Sequence, residues 1–180
     1  MHSGSGYKNT SVEREEIKIK RHVLSILVEN HSGVLSKVSG LFSRRGYNID
    51  SLTVGTTEDP TVSRITIVVF GDDNTIEQIE KQVNKLIDVI KVQEIDMENA
   101  VSREIALIKV NAPVNSRSSI IEISNIFRSS IIDINDKSMI LEATGDSKKI
   151  TAIIDVLKPF GIIELIRTGL TALNRGSKSI

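Results

Sequence analysis

The amino-acid sequence predicts an α+β protein of two tandem βαββαβ units, each a four-stranded antiparallel sheet with two helices on one face. Three observations predict it. The hydrophobic period switches between strand and helix in the order strand, helix, strand, strand, helix, strand. The same order returns, more weakly, over the second half of the 180 residues, with similar segments in matching places. The core has to come mainly from Ile, Val and Leu, because the chain has only four Phe, two Tyr and no Trp.

The first strand is His22 to Val28, nearly all apolar, as a central strand requires. Asn30-His31-Ser32-Gly33 follows as a loop. From Val34 the period is helical. Val34, Leu35, Val38, Leu41 and Phe42 share one face, and Ser36, Lys37, Ser39 and Arg44 the other. Ser32 has the side chain of an N-cap. Gly46 stops the helix, since glycine tolerates the left-handed backbone needed there. Tyr47 to Val54 and Arg64 to Phe70 form a hairpin around Glu58-Asp59-Pro60. Gly71-Asp72-Asp73-Asn74 opens the second helix, with Asn74 and Glu77 at capping-box spacing. Ile76, Ile79, Val83 and Leu86 carry its apolar stripe, and Val89 to Ile95 is the last strand.

Asp96 to Ser102 reads as a short polar linker, after which the pattern repeats. Arg103 to Val110 mirrors Arg21 to Val28, Ser124-Asn125-Ile126-Phe127 mirrors Ser39-Gly40-Leu41-Phe42, and Asp133-Ile134-Asn135 stands where Asn48-Ile49-Asp50 stood. Ser138 to Thr144 is a strand. Lys149 to Leu157 is a helix with Ile150, Ile153, Ile154 and Leu157 inward. Gly161 to Arg167 is the final strand. The expected division is a tag or disordered tail over 1–20, a first unit over 21–96 and a second over 102–175. Each unit has the split βαβ, ferredoxin-like order. That order leaves one sheet face without helices. Strands this apolar need the bare face or an edge covered, and a second copy of the chain is expected to cover it.

Charge and composition exclude several function classes. Lys plus Arg and Asp plus Glu are 23 each, so no electrostatic attraction to nucleic acid or to a membrane surface is built in. No apolar run approaches the ~18 residues of a membrane span. Without cysteine there is no disulfide or thiolate metal site. Of the three histidines, His2 lies in the tail, and His22 and His31 have no second histidine at ligand spacing, so no metal site is expected. No nucleophile elbow, phosphate loop or dinucleotide fingerprint is present. No catalytic residue is assigned.

One constellation remains, Asn30-His31-Ser32-Gly33-Val34-Leu35 at a strand-to-helix junction. A helix start offers free N–H groups and a positive dipole end, which suit a carboxylate. Gly33 lets a ligand approach the backbone. Asn30 offers an acceptor to an ammonium and a donor to a carboxylate. The same residues also make an ordinary capped helix with a turn glycine, and the pattern alone leaves both readings open.

The segments Arg21 to Asn30, Ser32-Gly33-Val34-Leu35 and Gly40 to Ile49 resemble the N-terminal ACT domain of acetohydroxyacid synthase (acetolactate synthase) small subunits. Ser51-Leu52-Thr53-Val54, Ser63 to Ile67, Gln78 to Gln82 and Lys85 to Val89 extend the likeness, and Arg103 to Val110 with Ile126-Phe127-Arg128 fits the family's C-terminal domain. The resemblance implies a homodimer joined through its ACT domains. It implies an effector held between the first loop of one copy and the start of the second strand of the other. Effector positions fall on Asn30, Gly33 and Asn48, with Val34 and Leu35 lending backbone N–H groups. His31 is given no role. The implied effector is valine, or else leucine or isoleucine. The implied partner is a catalytic large subunit holding thiamine diphosphate, magnesium and FAD, which the C-terminal domain activates, in a bacterial cytoplasm or a plastid stroma. The second unit has Ala112-Pro113-Val114-Asn115 at the loop, so effector binding is expected in the first unit only. Two other readings are a free-standing tandem-ACT sensor that regulates another enzyme or transcription, and an enzyme in its own right. The second lacks any convergent acid, base or metal set.

Overall fold

The computed structural model describes residues 19–177 and 179–180. The expected tail lies outside the described residues as far as residue 18, and Lys20 already opens the first strand.

The first unit runs β1 (Lys20–Glu29), α1 (Val34–Arg44), β2 (Ile49–Thr56), β3 (Val62–Gly71), α2 (Asp73–Val83) and β4 (Val89–Glu94). The second runs β5 (Ala100–Asn111), α3 (Arg117–Ile126), β6 (Ser130–Ile134), β7 (Ser138–Gly145), α4 (Ser147–Leu157) and β8 (Ile162–Arg167), followed by β9 (Thr171–Asn174). The sheets are ordered β2-β3-β1-β4 and β6-β7-β5-β8, so each unit has the ferredoxin-like topology. Strand alternation splits the faces. Leu24, Ile26 and Val28 of β1 and Ile65, Ile67 and Val69 of β3 turn to the helices, where Val38, Phe42, Ile76, Ile79 and Val83 close the first core. Ala106, Ile108, Val110, Met139 and Leu141 do the same under Ile120, Ile150, Ile153 and Leu157 in the second.

Several local details differ from the sequence reading. Ser32 does not cap α1. Gly33 is the N-cap, with φ 89°, and its carbonyl accepts the first helical bond from the Lys37 N–H. Leu35 is off the buried stripe and 42% exposed. The expected box on Asn74 is absent because α2 starts two residues earlier. Asp72 caps it, its carboxylate accepting from the Thr75 N–H at 2.9 Å. α2 ends at Val83, and Leu86 packs on the core from the following turn. Gly46 does stop α1 as expected. Its φ is 72°, and the bonds Gly46 N–H to Ser43 and Tyr47 N–H to Phe42 are those of a Schellman cap.

Residues 100–102, expected as linker, are strand. They pair with β9, an element the sequence reading did not contain. This pairing decides what covers the first sheet's helix-free face. Val23 and Val68 on that face are buried against Ile95, Ala100, Leu170 and Ala172, so the second unit of the same chain provides the cover expected from another copy. Gly169 lies so close that a Cβ on it would stand 2.6 Å from Thr53 Oγ1 and 3.1 Å from the Leu52 carbonyl oxygen. The second sheet keeps Ile105 and Ile166 exposed on its own helix-free face.

Candidate functional site

The loop after β1 is fixed from two directions. The Asn30 N–H donates to the Thr61 carbonyl at 2.7 Å and its amide nitrogen to the Pro60 carbonyl at 2.8 Å, so Asn30 is strapped to the β2–β3 turn. That turn is held by Asp59, whose Oδ1 accepts from the hydroxyl of Thr61 at 2.6 Å and from its N–H at 2.8 Å. These bonds, the hydroxyl's first, hold the Asp59 carboxyl below its ordinary value. The Pro60 bond turns the Asn30 amide nitrogen to the protein and leaves its oxygen outside that bond.

The second anchor was missed in the sequence. Asp88, just before β4, is buried. Its Oδ2 accepts from Lys37 Nζ at 2.6 Å and its Oδ1 faces His31 Nε2 at 3.1 Å. Its backbone carbonyl accepts from the Glu29 N–H at 2.9 Å. The Lys37 hydrogen bond is the chief cause that holds the Asp88 carboxyl below its usual range against burial, with the charges of Lys37 and His31 adding to it. Glu29 Oε2 also comes within 3.5 Å of His31 Nε2. Glu29, His31 and Asp88 bring one ligand atom each within 4.8 Å of one another, and Lys37 pairs with the Asp88 oxygen that faces away from His31. An acid between Ile87 and Val89 was the signal available in the sequence. His31, given no role there, is a member of this cluster.

The helix start itself is open. The N–H groups of Val34, Leu35 and Ser36 precede the first intrahelical bond. A Cβ built on Gly33 meets nothing within 4 Å. Free donors, a positive helix end and an unobstructed glycine backbone form a surface that can receive a carboxylate. Val34 is buried beneath it and Leu35 stands exposed beside it.

Asn48 is not part of this surface within one chain. It precedes Ile49, which pairs with Val69 at the level of His22, whereas Asn30 follows Glu29, at the level of Val62. Those levels are seven residues apart on β1, roughly 23 Å at ~3.3 Å per residue. The structure therefore gathers Asn30, Gly33, Val34 and Leu35 at one end of the sheet and puts Asn48, also exposed, at the other.

Among the described residues, two grooves have volumes of about 550 and 560 Å³. Both run along the seam between the units, and neither is lined by the loop residues or Asn48. The remaining histidine, His22, is buried, with Nδ1 2.6 Å from Glu94 Oε1 and Nε2 3.2 Å from the Gly71 carbonyl, and serves the first sheet.

Residues 24–91 match the model of an AHAS small subunit-like ACT domain, and residues 103–176 match that of the small subunit of acetolactate synthase. The chain belongs to the acetolactate synthase small-subunit family. Within that family it is 54% identical over 158 residues to the probable acetolactate synthase small subunit of Archaeoglobus fulgidus, covering 88% of this chain and 99% of that protein. It is 53% identical over 161 residues to the acetolactate synthase small subunit of Mycobacterium bovis, covering 89% and 96%. The crystal structure of the Thermotoga maritima small subunit superposes with a TM-score of 0.84 at 47% identity, over 88% of this chain and 99% of that one. The family and fold expected from the sequence are thereby established. No helix among the described residues is long and apolar enough to cross a membrane.

Proposed function

We propose that this chain is the regulatory subunit of an acetolactate synthase and that it senses a branched-chain amino acid, valine first, with leucine and isoleucine as the alternatives. Two copies meet through their first units. The carboxylate of the amino acid docks on the N–H groups of Val34 and Leu35 over Gly33. Its ammonium meets the Asn30 amide oxygen, and Asn48 of the other copy completes the site.

One observation carries this reading. The N–H groups at the start of α1 are open, and Asn48 lies at the opposite end of the same sheet, about 23 Å away along β1 in strand level. In a two-fold pair that joins one copy's start of β2 to the other copy's loop, the contact is made twice, so each pair carries two such sites. The exposed Leu35 gives the aliphatic side chain an apolar neighbour. Binding across two copies changes their arrangement, and the second unit passes that change to a separate catalytic subunit. That subunit carries thiamine diphosphate, magnesium and FAD, and the regulatory chain raises its activity and makes it sensitive to the end product. The archaeal and bacterial relatives favour the cytoplasm over a plastid.

Thermal unfolding against a panel of amino acids tests the reading. A ligand bound only to the folded state adds about 2.7 kcal/mol at a hundred times its dissociation constant, a shift of several degrees for a chain this size. A shift with valine that disappears in Asn30→Ala supports the site. No shift with valine, leucine or isoleucine, alone or with the catalytic subunit present, removes it. Co-purification with a thiamine-dependent enzyme separates a subunit from a free-standing sensor.

A further inference from the structure

We infer that Asp88 is the positioning residue of the amino-acid site, a buried carboxylate that braces the loop and the first turn of α1 in the form that presents their N–H groups. This inference rests on the reading of that loop as the effector site.

The geometry is a clasp across the loop. Asp88 binds His31, two residues before Gly33, and Lys37, four residues after it. The Lys37 N–H in turn bonds to the Gly33 carbonyl at 3.0 Å. Gly33, Val34 and Leu35 thus lie between two side chains that converge on one carboxylate. That carboxylate is fixed from behind, since the Asp88 carbonyl holds the Glu29 N–H at the end of β1. The polar partners of Asp88 are His31, Lys37 and the Glu29 N–H, with Asn30 and Gly33 not among them, so it acts through the backbone it holds.

The His31 ring adds direction. Nδ1 lies 3.1 Å from the Ser32 carbonyl and Nε2 3.1 Å from Asp88 Oδ1, so both ring nitrogens face acceptors. The ring therefore spans from the loop backbone to the clasp. Gly33 sits at φ 89° without a side-chain cap, so nothing local to the helix start fixes the entry of α1. The clasp restrains the helix start from the residue before β4 while leaving free the N–H groups that a Ser or Asp cap would occupy. Charge-assisted bonds to a buried carboxylate are strong enough to hold a loop in one geometry.

The test is amide hydrogen exchange of Gly33, Val34 and Leu35, read by NMR on the full chain, beside valine titration calorimetry. In Asp88→Asn, which keeps the shape and removes the charge, exchange at these amides rises and valine affinity falls, each by roughly tenfold. Amides of the second unit stay unchanged. Asp88→Glu restores the charge and brings both readouts back to within about threefold of the unmodified chain. Lys37→Gln, on the far side of the clasp, repeats the Asp88→Asn pattern and adds little to it in the double variant. Unchanged exchange in Asp88→Asn overturns the clasp, and so does faster exchange with unchanged valine affinity. Faster exchange in a chain that binds no amino acid even before substitution keeps the clasp and sinks the effector reading instead.

Discussion

Arg167 grips the carboxylate of Glu104 with two nitrogens, Nε at 2.7 Å and Nη2 at 2.6 Å from the same oxygen. Glu104 is only 5% exposed, and the same guanidinium reaches Ser147 Oγ at 2.8 Å and Thr151 Oγ1 at 3.2 Å, so one side chain joins β5, β8 and the start of α4. Removing the cation strands a buried carboxylate. Arg167→Ala is expected to cost about 3 kcal/mol in urea unfolding. Glu104→Gln with Arg167→Met should recover part of that loss, because no charge is then left unpaired. A loss below about 0.5 kcal/mol, the range of an exposed pair, would show that the bond is worth nothing in solution.

Gly33→Asp places a side chain at φ 89° in open space, so the chain still folds. Aspartate tolerates the left-handed region better than most residues, and a stability loss of about 1 kcal/mol is expected. The new charge faces the amino-acid carboxylate. Inhibition by valine should vanish while activation of the catalytic subunit persists. Retained sensitivity would show that the carboxylate docks elsewhere.

The interlock between the units predicts a contrast between two glycines. Gly169→Ala drives a methyl into Thr53 and into the Leu52 backbone, which cannot swing aside, and should cost about 1–3 kcal/mol. Gly55→Ala, on the edge strand β2 with nothing within 4 Å, should be neutral within about 0.5 kcal/mol. Thermal unfolding of the two variants side by side decides it, and equal effects would mean that the seam is not tightly packed.

Most of the architecture was legible because the helix and strand periods are strong where residues are buried on both sides, as in His22 to Val28 and Ile65 to Val69. The failures share a cause. β9 is four residues long and has meaning only as the partner of Ala100–Arg103, so neither segment shows in its own sequence. Leu35 was assigned inward by hydrophobicity, yet the helix start turns it out. Asp88 lies 51 residues from Lys37 and 57 from His31, and no local pattern announces a contact made at that range. The open helix start after Gly33 was legible because its residues are contiguous, whereas the anchors of its loop come from the β2–β3 turn and the approach to β4.

Acid should unfold the protein through identifiable carboxylates. Asp59, Asp72 and Asp88 are all held below their ordinary values, by Thr61, by Thr75 and chiefly by Lys37 respectively. The folded chain therefore binds fewer protons than the unfolded one in the carboxylate range. Their contribution is complete above the unfolded pKa of about 4 and is lost as pH falls through the lower folded values. Urea unfolding between pH 6 and pH 2.5 should show stability falling over that interval. Asp72→Ala should be less stable than the unmodified chain at pH 6, with the gap closing at pH 2.5. A gap independent of pH would remove the Asp72 carboxylate from the account.

The cover of the first sheet comes from residues made well after it. During synthesis β1 and β3 leave the ribosome together with α1 and α2, so the first core can close early. Val23 and Val68 stay open to water until Leu170 and Ala172 have been added and β9 has paired with β5. The nascent first unit is therefore a sticky intermediate with a defined lifetime, set by the translation of about 75 further residues at ~5–20 per second. A cell that makes this chain has to shield one sheet face for several seconds in every round of synthesis.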